Sequence, residues 1–192
     1  LSPETGLLPR WPAGGPRLLW KSADCGKGYA SVSIAEGRLF TSGDFGDEEK
    51  VVALDLDGRP VWKAANGPAW KGTTPGARST PTWRDGLVYH MNPTGRLAAF
   101  RASSGDEVWA VDPRDRFDVD HGAWAMSESV VVDGDAVIFA PGGKRGRIAA
   151  LDRRSGKTLW ANTEIREGAA YCSPIVVTHD GVRQVITVMR RS

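Results

Sequence analysis

Cysteine is nearly absent from these 192 residues, with only Cys25 and Cys172, which is too few for a disulfide framework. No apolar run approaches the roughly 20 residues that a bilayer crossing requires, so no membrane span is expected. Charge of one sign is lacking too: 25 basic against 23 acidic residues leave a net charge of +2. A nucleic-acid partner, which usually demands a concentrated basic face, is therefore not expected. Helix signals are equally scarce, because apolar positions rarely recur at three and four residues and few windows of a dozen lack Gly or Pro. The chain opens without Met and without a charged-then-apolar leader, so any export signal is expected to have been removed or to lie outside these residues.

What is present is punctuation and tryptophan: 23 Gly, 12 Pro and 8 Trp. Runs such as SVSIAEGRLFTSG, DGLVYHMN, SVVVDGDAVIFA and PIVVTHDGVRQVITV are β-rich pieces broken by Gly-containing turns. One sentence then recurs, as ALDLDGRPVW from Ala53, AFRASSGDEVW from Ala99 and ALDRRSGKTLW from Ala150. The tryptophans that close each unit are Trp20, Trp62, Trp109 and Trp160, at spacings of 42, 47 and 51. A period in the forties is that of a β-propeller blade. Each unit reads as an inner strand starting near Tyr29, Arg78, Met126 or Tyr171, then a tight turn at Glu36-Gly37, Asp85-Gly86, Asp133-Gly134 or Asp180-Gly181. A second strand, a Gly-containing loop, the Ala-x-Asp strand and a last strand ending in Trp complete it.

The fold expected is all-β, a propeller of four-stranded antiparallel blades. Its parts are an N-terminal segment with one outer strand (1–20), blades over 21–62, 63–109 and 110–160, and an incomplete blade over 161–192. In the repeated sentence Ala permits close packing, Asp bonds the following turn, Gly takes the left-handed position and Trp buries a flat surface against the neighbouring blade. The alternative is that the eight Trp are stacking platforms for a ligand.

The pattern Ala-x-Asp-x-x-x-Gly-x-x-x-Trp resembles the pyrroloquinoline-quinone-type repeat family of β-propellers. Ala150, Asp152, Gly156 and Trp160 match fully; Ala99, Gly105 and Trp109 match with Arg101 in the Asp place; Ala53, Asp55, Gly58 and Trp62 match with one residue deleted. The opening ETGLLPRWPAGGPRLLW is similar to the start of quinoprotein-like propellers. These are often described as polyvinyl-alcohol dehydrogenase-like, or as relatives of the lipoprotein scaffold of the outer-membrane β-barrel assembly machinery. The resemblance implies seven or eight blades and work in the periplasm or outside the cell. At this period 192 residues are about half such a ring, which reads as a fragment, or as one copy in an assembly whose chains complete one another. A lone half-ring is expected to self-associate through exposed blade faces.

Function is sought where equivalent inner positions differ, in GYASV (28–32), ARSTP (77–81), AMSES (125–129) and AYCSP (170–174). Tyr29, Arg78, Met126 and Tyr171 form one expected column, and Ser31, Thr80, Glu128 and Ser173 another. With His121 and Trp124 ahead of the third inner strand, the expected channel-mouth set is Tyr29, Arg78, His121, Trp124, Glu128 and Tyr171. It suits a small polar or planar molecule, a glycan or a protein; alternatively Arg78 and Glu128 pair across neighbouring strands or face water. His90, His121 and His179 lack the short spacing of a zinc site. GDFGDEEK (43–50) reads as a solvated loop, PGGKRGR (141–147) as a hairpin loop, and Cys172 as a small packing residue. No catalytic or metal-ligating set is evident.

Two functions are weighed. One is a non-enzymatic extracytoplasmic scaffold or binding module with no cofactor. The other is the amino-terminal half of a quinone-dependent alcohol or sugar dehydrogenase, for which the resemblance implies pyrroloquinoline quinone with calcium, an adjacent Cys pair, a carboxylate and an Asn at the metal, and a catalytic Asp. The adjacent Cys pair is not in this sequence.

Overall fold

The computed structural model describes residues 5–119 and 125–190. Three four-stranded antiparallel sheets follow one another along the chain. The first contains β1 (Ser33–Ala35), β2 (Arg38–Phe45), β3 (Glu48–Asp55) and β4 (Pro60–Pro68). The second contains β5 (Thr82–Arg84), β6 (Leu87–Met91), β7 (Leu97–Arg101) and β8 (Glu107–Val111). The third contains β9 (Val131–Asp133), β10 (Ala136–Phe139), β11 (Ile148–Asp152) and β12 (Thr158–Asn162). Beyond it lie β13 (Gly168–Ala169), the hairpin β14 (Ile175–His179) with β15 (Val182–Ile186), and β16 (Met189–Arg190), which pairs with β13. Each sheet is ordered as its strands occur in the chain, which is blade topology, and the described residues do not close a ring. A five-residue helix, α1 (Pro113–Phe117), leaves the second sheet, capped by Asp112 accepting from the Arg114 amide.

Strands at the middle of each sheet are buried on both faces because a blade is sandwiched between its neighbours. Phe40, Val51, Ala53, Val88, Ala98 and Phe100 form the core between the first two sheets. Tyr89, Met91, Leu97, Phe117, Val130, Phe139 and Leu151 belong to the core between the second and third. Alternation along β6 sends Val88 one way and Tyr89 and Met91 the other, the period-2 consequence of a pleated strand.

The repeated sentence is the joint between blades. Within each blade Ala53, Ala99 and Ala150 sit directly opposite Trp62, Trp109 and Trp160, and the register shifts just after each Ala. The three Ala are fully buried there. Each indole then reaches the following blade. Trp20 Nε1 donates to the Leu56 carbonyl at 2.8 Å, Trp62 to Ala102 at 2.9 Å and Trp109 to Arg153 at 2.9 Å. The Gly of that next sentence lies under the ring, so a Cβ on Gly58, Gly105 or Gly156 would come within 2.8 Å of Trp20, Trp62 or Trp109. All three Gly also have φ between 67° and 80°, a left-handed backbone that other residues adopt at a cost. Asp55 and Asp152 accept turn amides as expected. The turn with Arg101 closes through Gly105 N–H to the Arg101 carbonyl at 2.8 Å, so the backbone alone suffices. Residues 5–26 contain no ladder strand, yet Trp20 takes the same seat as the later tryptophans.

Candidate functional site

A hydroxyl ladder fixes which inner residues are equivalent. The Ser31 amide donates to Thr80 Oγ1 at 3.0 Å, the Thr80 amide to Ser129 Oγ at 2.9 Å, and the Ser129 amide to Ser173 Oγ at 2.8 Å. Each inner segment is thus tied to the next by one Ser or Thr per repeat. The column is Ser31, Thr80, Ser129 and Ser173, so the expected placement of Glu128 in it is corrected by one residue. Counting back two positions gives Tyr29, Arg78, Ser127 and Tyr171 as the channel column, with Ser127 where Met126 was expected. Those four side chains and Thr74 line one open cavity of about 370 Å³. Met126 is instead in the core, 8% exposed. The expected turn at Asp133-Gly134 is offset likewise: Asp133 pairs with Ala136, which leaves Gly134 and Asp135 as the turn. The inner segments themselves lie mostly outside the ladder, which begins only at Ser33, Thr82 and Val131.

Within the column, Tyr29 and Tyr171 are 63% and 54% exposed. Arg78 donates from Nη2 to the Thr73 and Thr74 carbonyls at 2.8 and 2.6 Å, which holds its guanidinium against the channel wall. It does not pair with Glu128 as one alternative supposed. Glu128 points between blades, 2% exposed, with Oε1 accepting from the Ala140 amide at 2.7 Å. Its other oxygen has no partner, and burial pushes its carboxyl up to about 8. His121 and Trp124 lie outside the described residues.

The acidic stretch 43–50 corrects a second expectation. It is the β2–β3 hairpin rather than a solvated loop, with Asp44 and Glu49 directly opposite each other. Glu49 is fully buried against the second blade, and burial, aided by the Asp44 charge, raises its carboxyl to about 9. Its Oε1 is 3.3 Å from His90 Nε2. His90 is also fully buried, its Nδ1 faces Asn66 Nδ2 at 2.8 Å, and burial lowers it to about 4. The amide donates to Nδ1, which puts the ring proton on Nε2, toward Glu49. Asn66 is held in turn by Arg96 Nη1 at 2.6 Å and its carbonyl by Asn92 Nδ2 at 2.7 Å. This inter-blade cluster was missed in the sequence. Counting from a two-residue Gly46-Asp47 turn places Asp44 across from Glu49, and that was the available signal.

Both cysteines are free; Cys172 is exposed, not packed as expected. His179, expected in a turn, is the exposed last residue of β14, 3.4 Å from Asp180. Residues 141–147 form the loop between β10 and β11. Among the described residues no group of three His, Cys, Asp or Glu is placed to hold a metal ion, and no helix is long and apolar enough to cross a membrane.

Comparison with known proteins gives a consistent family. The PQQ_2 family model, described as outer membrane protein assembly factor BamB, matches residues 12–186. Quinohemoprotein alcohol dehydrogenase ADH-IIG of Pseudomonas putida is 32% identical over 142 residues, 68% of this chain and 19% of that protein. ADH IIB of the same species is 33% identical over 90 residues, 46% of this chain and 13% of that protein. The chain thus spans less than a fifth of these curated relatives. The fold of the quinohemoprotein alcohol dehydrogenase from Comamonas testosteroni matches at TM-score 0.55 and 23% identity, covering 71% of this chain and 21% of that one. BamB from Moraxella catarrhalis matches at TM-score 0.53 and 21% identity, covering 88% and 48%. With its sheets, its repeated joint and this match over most of its length, the chain belongs to the PQQ_2 family of pyrroloquinoline-quinone-type repeat β-propellers.

Proposed function

We propose that this chain is part of an extracytoplasmic, non-enzymatic propeller that works as a scaffold or binding module, receiving a partner at the channel mouth. The observation that carries the reading is the composition of the channel column: two exposed phenols, a guanidinium fixed by backbone carbonyls, and a hydroxyl. Tyr and Arg are the side chains that dominate recognition surfaces, since they offer large contact area with few rotors and planar hydrogen bonding. A polar, partly aromatic surface of this kind suits a protein segment or a glycan. Work in the periplasm or at the cell surface is the habit of the family and is part of the proposal.

A second reading, the amino-terminal part of a quinone-dependent dehydrogenase, is favoured by the 32% and 33% identities to quinohemoprotein alcohol dehydrogenases. Arg78 and the two tyrosines fit the acidic groups and flat body of a quinone. The same column offers no carboxylate for a companion calcium, because Glu128 is turned between blades and Glu49 is buried beside His90. Among the described residues the channel column therefore assembles no quinone–calcium centre, and no reaction step is assigned to it.

Titration with pyrroloquinoline quinone and calcium, followed by quenching of Trp fluorescence, separates the two. A flat titration is expected. Saturable, calcium-dependent quenching that Arg78→Ala weakens at least tenfold would replace the binding module by the dehydrogenase.

A further inference from the structure

A second cavity, of about 320 Å³, opens between the third sheet and the β13–β16 pair. Its wall carries Lys144, Arg147, Arg166 and Arg190, with Asp118 among them. Met126 and Ala169 give it an apolar side. Glu128 also lines it, and here the chemistry is specific. One of its oxygens is taken by the Ala140 amide, while the other is buried without a partner. A buried polar atom without a partner is costly, so native structures rarely leave one unmet. Because no cation pairs with this carboxyl and burial favours its neutral form, near neutral pH it is a hydrogen-bond donor in need of an acceptor.

We propose that this inter-blade cleft binds a small dicarboxylate with an apolar spacer, its carboxylates held by the Arg147, Arg166 and Arg190 guanidiniums and by the Glu128 carboxyl group. Planar guanidinium forks match carboxylates in bidentate fashion. The protonated Glu128 contributes a neutral donor that requires an acceptor oxygen on the ligand, while the guanidiniums select for its charge. Met126 and Ala169 provide the surface for the spacer. The site is distinct from the channel column, with which it shares Ser127 and Tyr171 as a common wall.

Ionisation of Glu128 would turn its donor into a like charge, so binding weakens as pH rises through about 8. The other charged or titratable groups facing the cleft are Asp118, Lys144, Arg147, Arg166, Arg190 and Tyr171.

Calorimetric titration of the full chain at pH 7 with phthalate, with its neutral diamide and with inorganic phosphate tests the assignment. Saturable phthalate binding is expected, with phosphate at least tenfold weaker and the diamide silent. The Arg166→Ala, Arg190→Ala double variant should lose at least tenfold. Glu128→Gln, which keeps a neutral donor, should bind within threefold of the parent and lose the weakening above pH 8. Arg78→Ala, in the neighbouring channel, should leave phthalate affinity unchanged. Absence of saturable binding to the parent, or indifference to the double Arg substitution, overturns the proposal. Equal affinity for phosphate overturns the dicarboxylate assignment, and loss of binding in Arg78→Ala moves the anion to the channel.

Discussion

Trp109→Ala and Trp160→Ala remove the same residue from the same place in the repeat and should have very different costs. Trp109 is 8% exposed, its ring 6.0 Å from Tyr89, its Nε1 bonded to the Arg153 carbonyl and its face over Gly156. A buried Trp covers roughly 200 Å², which at about 25 cal/mol per Å² is on the order of 5 kcal/mol. A compact unfolded state reduces that figure by about a quarter, and the lost hydrogen bond adds back about 1 kcal/mol. A loss of about 3–5 kcal/mol results, the usual range for truncating a buried aromatic. Trp160 is 43% exposed, and among the described residues no glycine lies against its ring. About half the area gives a loss of about 1–2 kcal/mol for Trp160→Ala. Urea unfolding followed by far-ultraviolet circular dichroism reads both variants. Equal losses, or a larger one at Trp160, would refute the view that the tryptophans act by docking onto the next blade.

Gly105→Ala places a methyl 2.7 Å from the Trp62 ring on a backbone at φ 79°, and should cost about 1–3 kcal/mol by thermal unfolding; Gly37→Ala, also at positive φ but with open space around it, should cost less. Stability should also fall with pH above neutrality. The folded pKa of Glu49 is raised from 4.5 to about 9. Its contribution is therefore complete below pH 4.5 and is lost progressively as pH rises to about 9. Glu49→Gln should flatten that decline by on the order of 1–3 kcal/mol between pH 6 and 9, and an unchanged slope in urea midpoints would place the cause elsewhere. On the acid side His90, lowered from 6.5 to about 4, contributes fully above pH 6.5 and loses its contribution as pH falls toward 4. His90→Gln should remove that part of the acid sensitivity.

The repeat made the fold legible, because Ala, Gly and Trp at the joint leave no freedom of register: the methyl faces the indole within a blade and the Gly lies under the indole of the blade before. The site was less legible. Aligning AMSES with ARSTP by their opening Ala put Glu128 beside Thr80, whereas the hydroxyl that bonds the Thr80 amide belongs to Ser129. One residue's offset turns every side chain to the opposite face, so Glu128 moved from the channel to the cleft and Ser127 replaced Met126. Turn chemistry concealed the offset as well, since Asp133-Gly134 looks like Asp85-Gly86 while the turn is Gly134-Asp135. Burial of Glu49 was hidden for a different reason. A charged residue in an acidic stretch reads as solvated, and only contact with the neighbouring blade makes it neutral.

Register at the third inner segment decides what the channel offers to a partner, and thiol accessibility measures it. In a background with Cys25 and Cys172 replaced by Ser, single Cys substitutions at Ser127 and Met126 are reacted with a charged thiol reagent under native conditions. The Ser127→Cys thiol should react at nearly the rate of a free thiol, and the Met126→Cys thiol at least tenfold more slowly. The reverse order would return Met126 to the channel and remove the column on which the binding surface rests.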